Sequence, residues 1–187
     1  MKSRDFSAQF AAGREIVVVI HNIRSILNVG AILRTCECLG ITRAFATGWT
    51  PSPDHGLPHV REKIAQELHK TALGAEGIVD FQYRDDVAEL LTWLKNDGFR
   101  VVGLEQDDRA ISLPDYQPSQ KIAVLLGEEV HGLTPELRDR CNDLIEIPMR
   151  GQKESFNVSV AAGIVLYGLA TSLPKRKCVN VIFPIKG

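Results

Sequence analysis

Apolar residues recur along the chain in short runs that alternate with helical patterns. Residues Glu15–His21 (EIVVVIH) are apolar and β-branched, which is typical of a strand buried on both faces. Shorter runs predict further strands at residues 42–47, 77–83, 100–105, 121–126 and 144–149. The spacing of apolar residues predicts helices at residues 29–39, 61–73, 85–96, 134–140 and 157–173. The last helix is apolar on nearly every side, so it must be buried in a core or in an interface.

This alternation predicts an α/β domain built on a mainly parallel sheet flanked by helices. No internal repeat or low-complexity segment interrupts the pattern, so residues 1–187 are predicted to form a single domain. Residues 1–15 are expected to be a short N-terminal extension, and residues 174–187 a C-terminal tail. The segment VNVIFPI in that tail is suited either to an edge strand or to contact with a partner.

The composition is ordinary for a globular protein, since 44% of the 187 residues are apolar and 24% are charged. No apolar run is long enough to cross a bilayer, and the N-terminus lacks an apolar signal core. A cytoplasmic protein without membrane contact is therefore expected. The four cysteines form no C-x-x-C pair, which argues against a metal site and favours free, partly buried thiols.

The formal net charge of −1 excludes a nucleic-acid interaction that rests on overall charge. Such an interaction would need local basic groups. Four are present: Arg61 with Lys63, Lys70, Arg150 with Lys153, and residues 175–177. Each group by itself is more typical of a solvated face than of a binding site.

The common nucleotide-binding signatures G-x-G-x-x-G and G-x-x-x-x-G-K-[ST] are missing, so a ligand site must be sought at other strand ends. The first candidate segment follows the first strand. Asn28 is placed to cap the next helix, Gly30 permits a close approach, and Arg34 falls on the second turn. A capped helix with a solvent-facing arginine is the simpler interpretation of this spacing.

A second candidate segment, GEEVHGL at residues 127–133, directly follows the predicted strand 121–126. Two glycines bracket two carboxylates, and glycine lets the backbone approach a ligand closely. A carboxylate here can accept hydrogen bonds from a ribose or from a basic partner. A tight acidic turn explains the same residues equally well.

A third candidate segment, RGQKESFNVSVAA at residues 150–162, follows the last predicted strand. Ser155 and Asn157 fall where the final helix begins. Both are therefore also explained as simple helix caps.

Taken together, the three segments resemble the SpoU branch of the SPOUT RNA methyltransferases. That family shows the motifs N-x-G-A-x-x-R-T, G-x-E-x-x-G-L and I-P-M-x-G-x-x-x-S-x-N-V-S-V-A in this order. The chain has NVGAILRT at residues 28–35, GEEVHGL at residues 127–133 and IPMRGQKESFNVSVA at residues 147–161. It departs at Phe156, where leucine is usual, and at Val130-His131, where many members have glycine and a variable residue. Neither departure removes a polar group that the chemistry needs.

The resemblance, which covers nearly the whole chain, implies a deep C-terminal trefoil knot and S-adenosyl-L-methionine as methyl donor. It also implies a homodimer in which one subunit holds the donor and the other supplies Arg34. The residues implied to bind the cofactor are Leu104, Glu105, Leu126, Gly127, Glu129, Ile147, Pro148, Met149, Ser155 and Phe156. The residues implied to act in catalysis are Arg34, Asn28, Glu129, Ser155 and Asn157.

The implied reaction is methyl transfer to a ribose 2′-hydroxyl of RNA, with Arg34 in the activating role. Two mechanisms stay open, because a guanidinium remains protonated in nearly all proteins. Arg34 either loses its proton and then acts as the base, or stays charged. In the second case it holds an RNA phosphate and stabilises the developing alkoxide.

Two other classes of protein compete with this interpretation. A non-catalytic RNA-binding or assembly protein on the same knotted fold would keep the pocket without the chemistry, and the joint presence of all five polar residues weighs against it. An α/β enzyme for small molecules would need a phosphate loop, a Ser-His-Asp set or a metal cluster, none of which the motifs provide. The short extension before the first strand favours tRNA as the substrate, with ribosomal RNA as the alternative.

Overall fold

The structure is a computed structural model that describes residues 13–54 and 56–171. The expectations for residues 1–12 and for the tail after residue 171, including residues 175–177 and Cys178, lie outside this part. Its strands are β1 (Glu15–His21), β2 (Arg43–Thr47), β3 (Asp80–Arg84), β4 (Arg100–Leu104), β5 (Ile111–Ser112), β6 (Lys121–Leu126) and β7 (Asp143–Glu146). Its helices are α1 (Ile26–Cys38), α2 (Pro58–Ala72), α3 (Val87–Asn96), α4 (Pro135–Arg140) and α5 (Val158–Thr171). None of these helices is long and apolar enough to cross a membrane.

The strands form one sheet in the order β3-β2-β1-β6-β4-β7-β5, and every pairing within it is parallel. The prediction of an α/β fold on a mainly parallel sheet is therefore confirmed. Strand β6 lies between β1 and β4, although β4 precedes it in the chain. The trefoil knot stays a prediction.

Both faces of the sheet are covered, as the continuous apolar character of β1 predicts. Val18 and Ile20 point into a cluster shared with α1, α2 and α5. Val17 and Val19 point to the opposite face, into a cluster shared with α3 and α4. All four side chains are fully buried, and successive side chains of a strand alternate between the two faces. Burial on both faces holds the strand ends in a rigid frame.

The first motif glycine has a packing role. A Cβ atom added at Gly30 of α1 would come within 2.6 Å of the Thr71 Oγ1 atom and 2.8 Å of the Thr71 Cβ atom in α2. The absence of a side chain therefore lets α1 and α2 approach each other closely. This packing explains the glycine without any contact to a ligand.

Among the differences from the sequence-based expectations, three have a plain physical reason. Helix α1 begins at Ile26 and not at residue 29, because the Ser25 hydroxyl caps it by accepting from the Asn28 backbone N–H at 3.3 Å. Strand β7 ends at Glu146, short of Met149, and Pro148 has no N–H for a sheet hydrogen bond. Strand β5 has only two residues, too few to produce a hydrophobic pattern.

The described cysteines are free thiols, as expected from their spacing. Cys36 is buried in α1, and burial raises the pKa of its thiol to about 12. Half-burial raises the pKa of Cys141 to about 11. Both thiols therefore stay protonated at neutral pH and act as apolar packing groups.

Candidate active site

A cleft of about 300 Å³ opens at the carboxyl edge of the sheet, where β4, β6 and β7 end. Of the residues predicted to bind a cofactor, only Pro148 is missing from its lining. Those that line it are Leu104, Glu105, Leu126, Gly127, Glu129, Ile147, Met149, Ser155 and Phe156. The structure thus brings segments from three strand ends and from the start of α5 around one space.

The wall that follows β6 is a tight turn of residues 127–133. The Gly132 N–H donates to the Glu128 carbonyl at 3.1 Å, and Gly132 has a φ of 65°, which favours glycine. A Cβ atom at Gly127 would lie 2.5 Å from the Gly132 carbonyl carbon. The Glu105 carboxylate stabilises the turn by accepting a hydrogen bond from the backbone N–H of Leu133 at 2.5 Å. The shape of this wall is therefore set by backbone atoms and one carboxylate.

A chain of polar contacts joins the three motif segments beside the cleft. The Glu129 Oε1 atom accepts from the Asn28 amide at 3.2 Å and faces the Ser25 N–H at 3.4 Å. The Asn157 amide donates in turn to the Asn28 Oδ1 atom at 3.2 Å. These residues are about a hundred positions or more apart in sequence, so the fold alone brings them together. The contact holds side chains of all three segments together beside the cleft.

The same contacts show whether Asn157 and Asn28 act as helix caps. Asn157 does cap α5, because its Oδ1 atom accepts from the Ser159 N–H at 2.9 Å and from the Ser159 hydroxyl at 2.6 Å. The same side chain also donates to Asn28, so Asn157 caps α5 and contacts the first motif segment at once. Asn28 lies inside the first turn of α1, where Ser25 is the cap. Its side-chain amide is thereby left to contact Glu129 and Asn157, although neither Asn28 nor Asn157 lines the cleft itself.

Arg34 lies almost two turns beyond Asn28 on α1 and is exposed. It does not line the cleft. Within residues 13–54 and 56–171 its guanidinium has no hydrogen bond or ion pair. Of the five residues predicted to act in catalysis, it is the one that the described chain leaves apart from the others.

The mouth of the cleft is acidic. The Glu128 carboxylate accepts a hydrogen bond from His131 at 2.5 Å, and this bond is the main reason why its pKa lies below the ordinary range. The nearby Arg24 acts in the same direction. Because both effects lower the pKa of Glu128, its carboxylate is ionised at neutral pH. Burial lowers the pKa of His21, and the charge of Glu128 opposes that shift.

The described part of the chain contains no cluster of His, Cys, Asp or Glu suited to a metal ion.

Gln106 is a side chain that shapes the cleft and that sequence reasoning missed. Gln106, directly after β4, donates from its Nε2 atom to the Glu154 carbonyl at 2.7 Å and so holds the segment before α5 in place. No family motif marks it, but its position after a buried strand was a usable signal. The other lining residues outside the predicted set are Glu128, Val130, His131, Gly132, Glu146, Glu154, Val158 and Ala161.

Comparison with known sequences assigns the family. The profile of the SpoU rRNA methylase family matches residues 15–167. A tRNA (guanosine(18)-2′-O)-methyltransferase of Thermus thermophilus is 33% identical over 155 residues, which cover 82% of this chain and 73% of the relative. A 23S rRNA (guanosine-2′-O-)-methyltransferase RlmB of Acinetobacter baylyi is 32% identical over 142 residues. The aligned residues cover 75% of this chain and 53% of that relative.

Solved structures agree on the fold. An AdoMet-bound rRNA methyltransferase from Sinorhizobium meliloti superposes with a TM-score of 0.73 at 22% identity, over 86% of this chain and 57% of that one. The fold, the ordered motifs and the matched range define an RNA methyltransferase. The chain belongs to the SpoU rRNA methylase family.

The tight turn after β6 makes donor binding sensitive to one methyl group. We expect Gly127→Ala to weaken binding of S-adenosyl-L-methionine roughly tenfold or more, because the added Cβ overlaps the Gly132 backbone and the turn must shift. Isothermal titration calorimetry measures this directly. Gly151→Ala is the matched control, since a Cβ there meets nothing within 4 Å. Equal affinity in the two variants would contradict the assigned role of the turn.

Proposed function

We propose that this protein transfers a methyl group from S-adenosyl-L-methionine to a ribose 2′-hydroxyl of RNA. The observation that carries the proposal is the contact of Asn28, Glu129 and Asn157, which unites the three motif segments beside the cleft. The relatives act on guanosine riboses of tRNA and 23S rRNA. We take tRNA as the first substrate to test and ribosomal RNA as the second, with the cytoplasm as the site of action.

The cleft has the properties that this methyl donor needs. The donor carries a positive sulfonium and a positive ammonium group, and the ionised Glu128 with the neighbouring Glu129 supplies negative charge. The ends of β4, β6 and β7 present backbone groups to the same space. When bound, the donor supplies an electrophilic methyl group. The protein must then align the ribose with that methyl, and positioning of this kind can provide much of the rate.

Each polar residue of the site has a proposed task. Glu129 and Asn157 hold Asn28 and thereby orient the side chains that face the ribose. Ser155 and Phe156 line the cleft and would border the methionine part of the donor. Arg34 either accepts the hydroxyl proton after losing its own or stays charged and stabilises the developing alkoxide.

We also propose that the active unit is a homodimer. Val160, Ile164 and Tyr167 form an apolar stripe along α5 and are 50%, 38% and 60% exposed. Helix α5 packs beside α1, on which Leu27 is 57% exposed and shares a face with Arg34 seven residues later. A two-fold interface over these helices would cover the stripe. It would also carry Arg34 of one subunit toward the cleft of the other.

The proposed reaction is tested by incubating the protein with labelled donor and unmodified tRNA or ribosomal RNA transcripts. A 2′-O-methyl group removes the nucleophile for alkaline cleavage, so one phosphodiester should become resistant to alkali. Digestion to nucleosides shows where the label lies. Label on a base would contradict the ribose assignment. Absence of both donor binding and transfer would favour the non-catalytic RNA-binding protein.

The role of Arg34 predicts a selective loss of chemistry. We expect Arg34→Ala to fold and to bind the donor normally, because the side chain is exposed and outside the cleft. Methyl transfer should fall roughly 100-fold or more, as when one transition-state group is removed. Single-turnover rates measure the effect. Near-normal turnover would end this assignment, and full activity of Arg34→Lys would exclude the base mechanism, since a charge alone would then suffice.

The shared site predicts complementation between two inactive variants. Arg34→Ala keeps its cleft, whereas Gly127→Trp keeps Arg34 but displaces the turn that walls the cleft, because its Cβ overlaps the Gly132 backbone. After unfolding and refolding of an equal mixture, half of the dimers should be mixed, and each should contain one complete site. Activity should return to roughly a quarter of the wild-type value. No recovery, with mixed dimers verified by native mass spectrometry, would show that Arg34 serves its own subunit.

A further inference from the structure

Trp49 follows β2 at the same edge of the sheet as the donor cleft, yet no part of the methyl-transfer chemistry uses it. Its side chain is 74% exposed, whereas Phe45 and Ala46 of the adjoining strand are buried. The indole has no hydrogen bond to the described residues. An exposed aromatic ring at the edge of the sheet that bears the cleft is a candidate binding group.

The backbone that carries Trp49 is held firmly. The backbone N–H of Trp49 donates to the Asn22 Oδ1 atom at 2.9 Å, and the Tyr83 hydroxyl donates to the Gly48 carbonyl at 2.9 Å. Gly48 has a φ of 63°, and a Cβ there would lie 2.1 Å from the Asn22 Oδ1 atom. The Thr50 hydroxyl is buried and donates to the Ile20 carbonyl at 2.9 Å. The ring is therefore attached to a rigid turn. Because the turn is already ordered, less conformational entropy is lost when a ligand stacks on the ring.

Arg24 lines the same surface pocket as Trp49. It is exposed, and the described residues offer it no hydrogen bond or direct ion pair. The next residue, Ser25, turns its N–H toward Glu129 of the donor cleft at 3.4 Å. The pocket of Trp49 and Arg24 therefore adjoins the cleft.

We propose that Trp49 is the stacking platform for an unpaired base of the RNA, and that Arg24 binds a neighbouring phosphate. Stacking on an aromatic ring together with a guanidinium at the backbone is how proteins hold single-stranded RNA. The pair would fix the RNA so that the ribose of an adjacent nucleotide reaches the donor. This inference rests on the proposed function, since it takes RNA as the substrate.

The two tryptophans of the chain permit a direct test of stacking. Trp93→Phe leaves Trp49 as the only tryptophan, and Trp49→Phe leaves Trp93, which lies on α3 with its ring edge-on to Phe45. We expect an unmodified tRNA transcript, added without methyl donor, to quench the emission of the first variant and not of the second. Quenching of Trp93 alone, or of neither residue, would overturn the proposal.

Kinetics separate RNA positioning from a structural role. Trp49→Ala should raise the KM for RNA roughly tenfold or more, whereas Trp49→Phe should retain most of the affinity, because a ring remains for stacking. Arg24→Gln should weaken RNA binding and reduce its salt dependence by about one phosphate contact. Donor affinity and Tm should stay unchanged in all three variants. An unchanged KM in Trp49→Ala, or a parallel loss of donor affinity, would refute the assignment.

The outcomes also separate this inference from the proposed function. The quenching experiment contains no donor, so it reports RNA stacking even if no methyl group is transferred. Wild-type protein that binds RNA at Trp49 but methylates no RNA would contradict the proposed function and leave this inference standing. Wild-type protein that methylates RNA, with full activity retained after Trp49→Ala, would contradict this inference and leave the proposed function standing.

Discussion

The placement of β6 between β1 and β4 is the constraint on which the rest of the structure depends. Ile16 to Ile20 of β1 pair in register with Ile122 to Leu126 of β6, and Leu104 of β4 pairs with Leu126. Because all three strands are parallel, their carboxyl ends meet at one edge. The segments that follow them must then share the space beyond that edge. Without this insertion, Asn28 and Glu129 would have no reason to meet.

The site built on that edge relies more on backbone shape than on the chemistry of individual side chains. Gly127 lets its backbone approach that of Gly132 more closely than a side chain would allow, and Gly132 leaves room for the Glu105 carboxylate. Glu105 uses its carboxylate to hold the turn, and Gln106 holds the segment before α5. These residues set the position of the loops. The polar motif side chains beside the cleft are few: Asn28, Glu129, Ser155 and Asn157.

The sequence predicted the buried strands well, because β1 and β6 are continuous β-branched or aliphatic runs with little alternative. The sequence was less informative where local contacts decide where a helix or strand begins or ends. The start of α1 depends on the Ser25 hydroxyl, and the end of β7 on where pairing with β4 and β5 stops. The ordered motifs identified the cleft because they fall at strand ends. Arg24 and Trp49 belong to separate segments, so only the fold could place them in one pocket.

The central claim is that this edge of the sheet methylates a ribose of RNA. The most direct measurement is a mass-spectrometric map of 2′-O-methylated nucleotides in tRNA and ribosomal RNA from cells with and without this gene. The account predicts that at least one ribose methylation disappears with the gene, and that wild-type protein restores it but Arg34→Ala does not. An unchanged ribose map, or the loss of a base methylation in its place, would contradict the account.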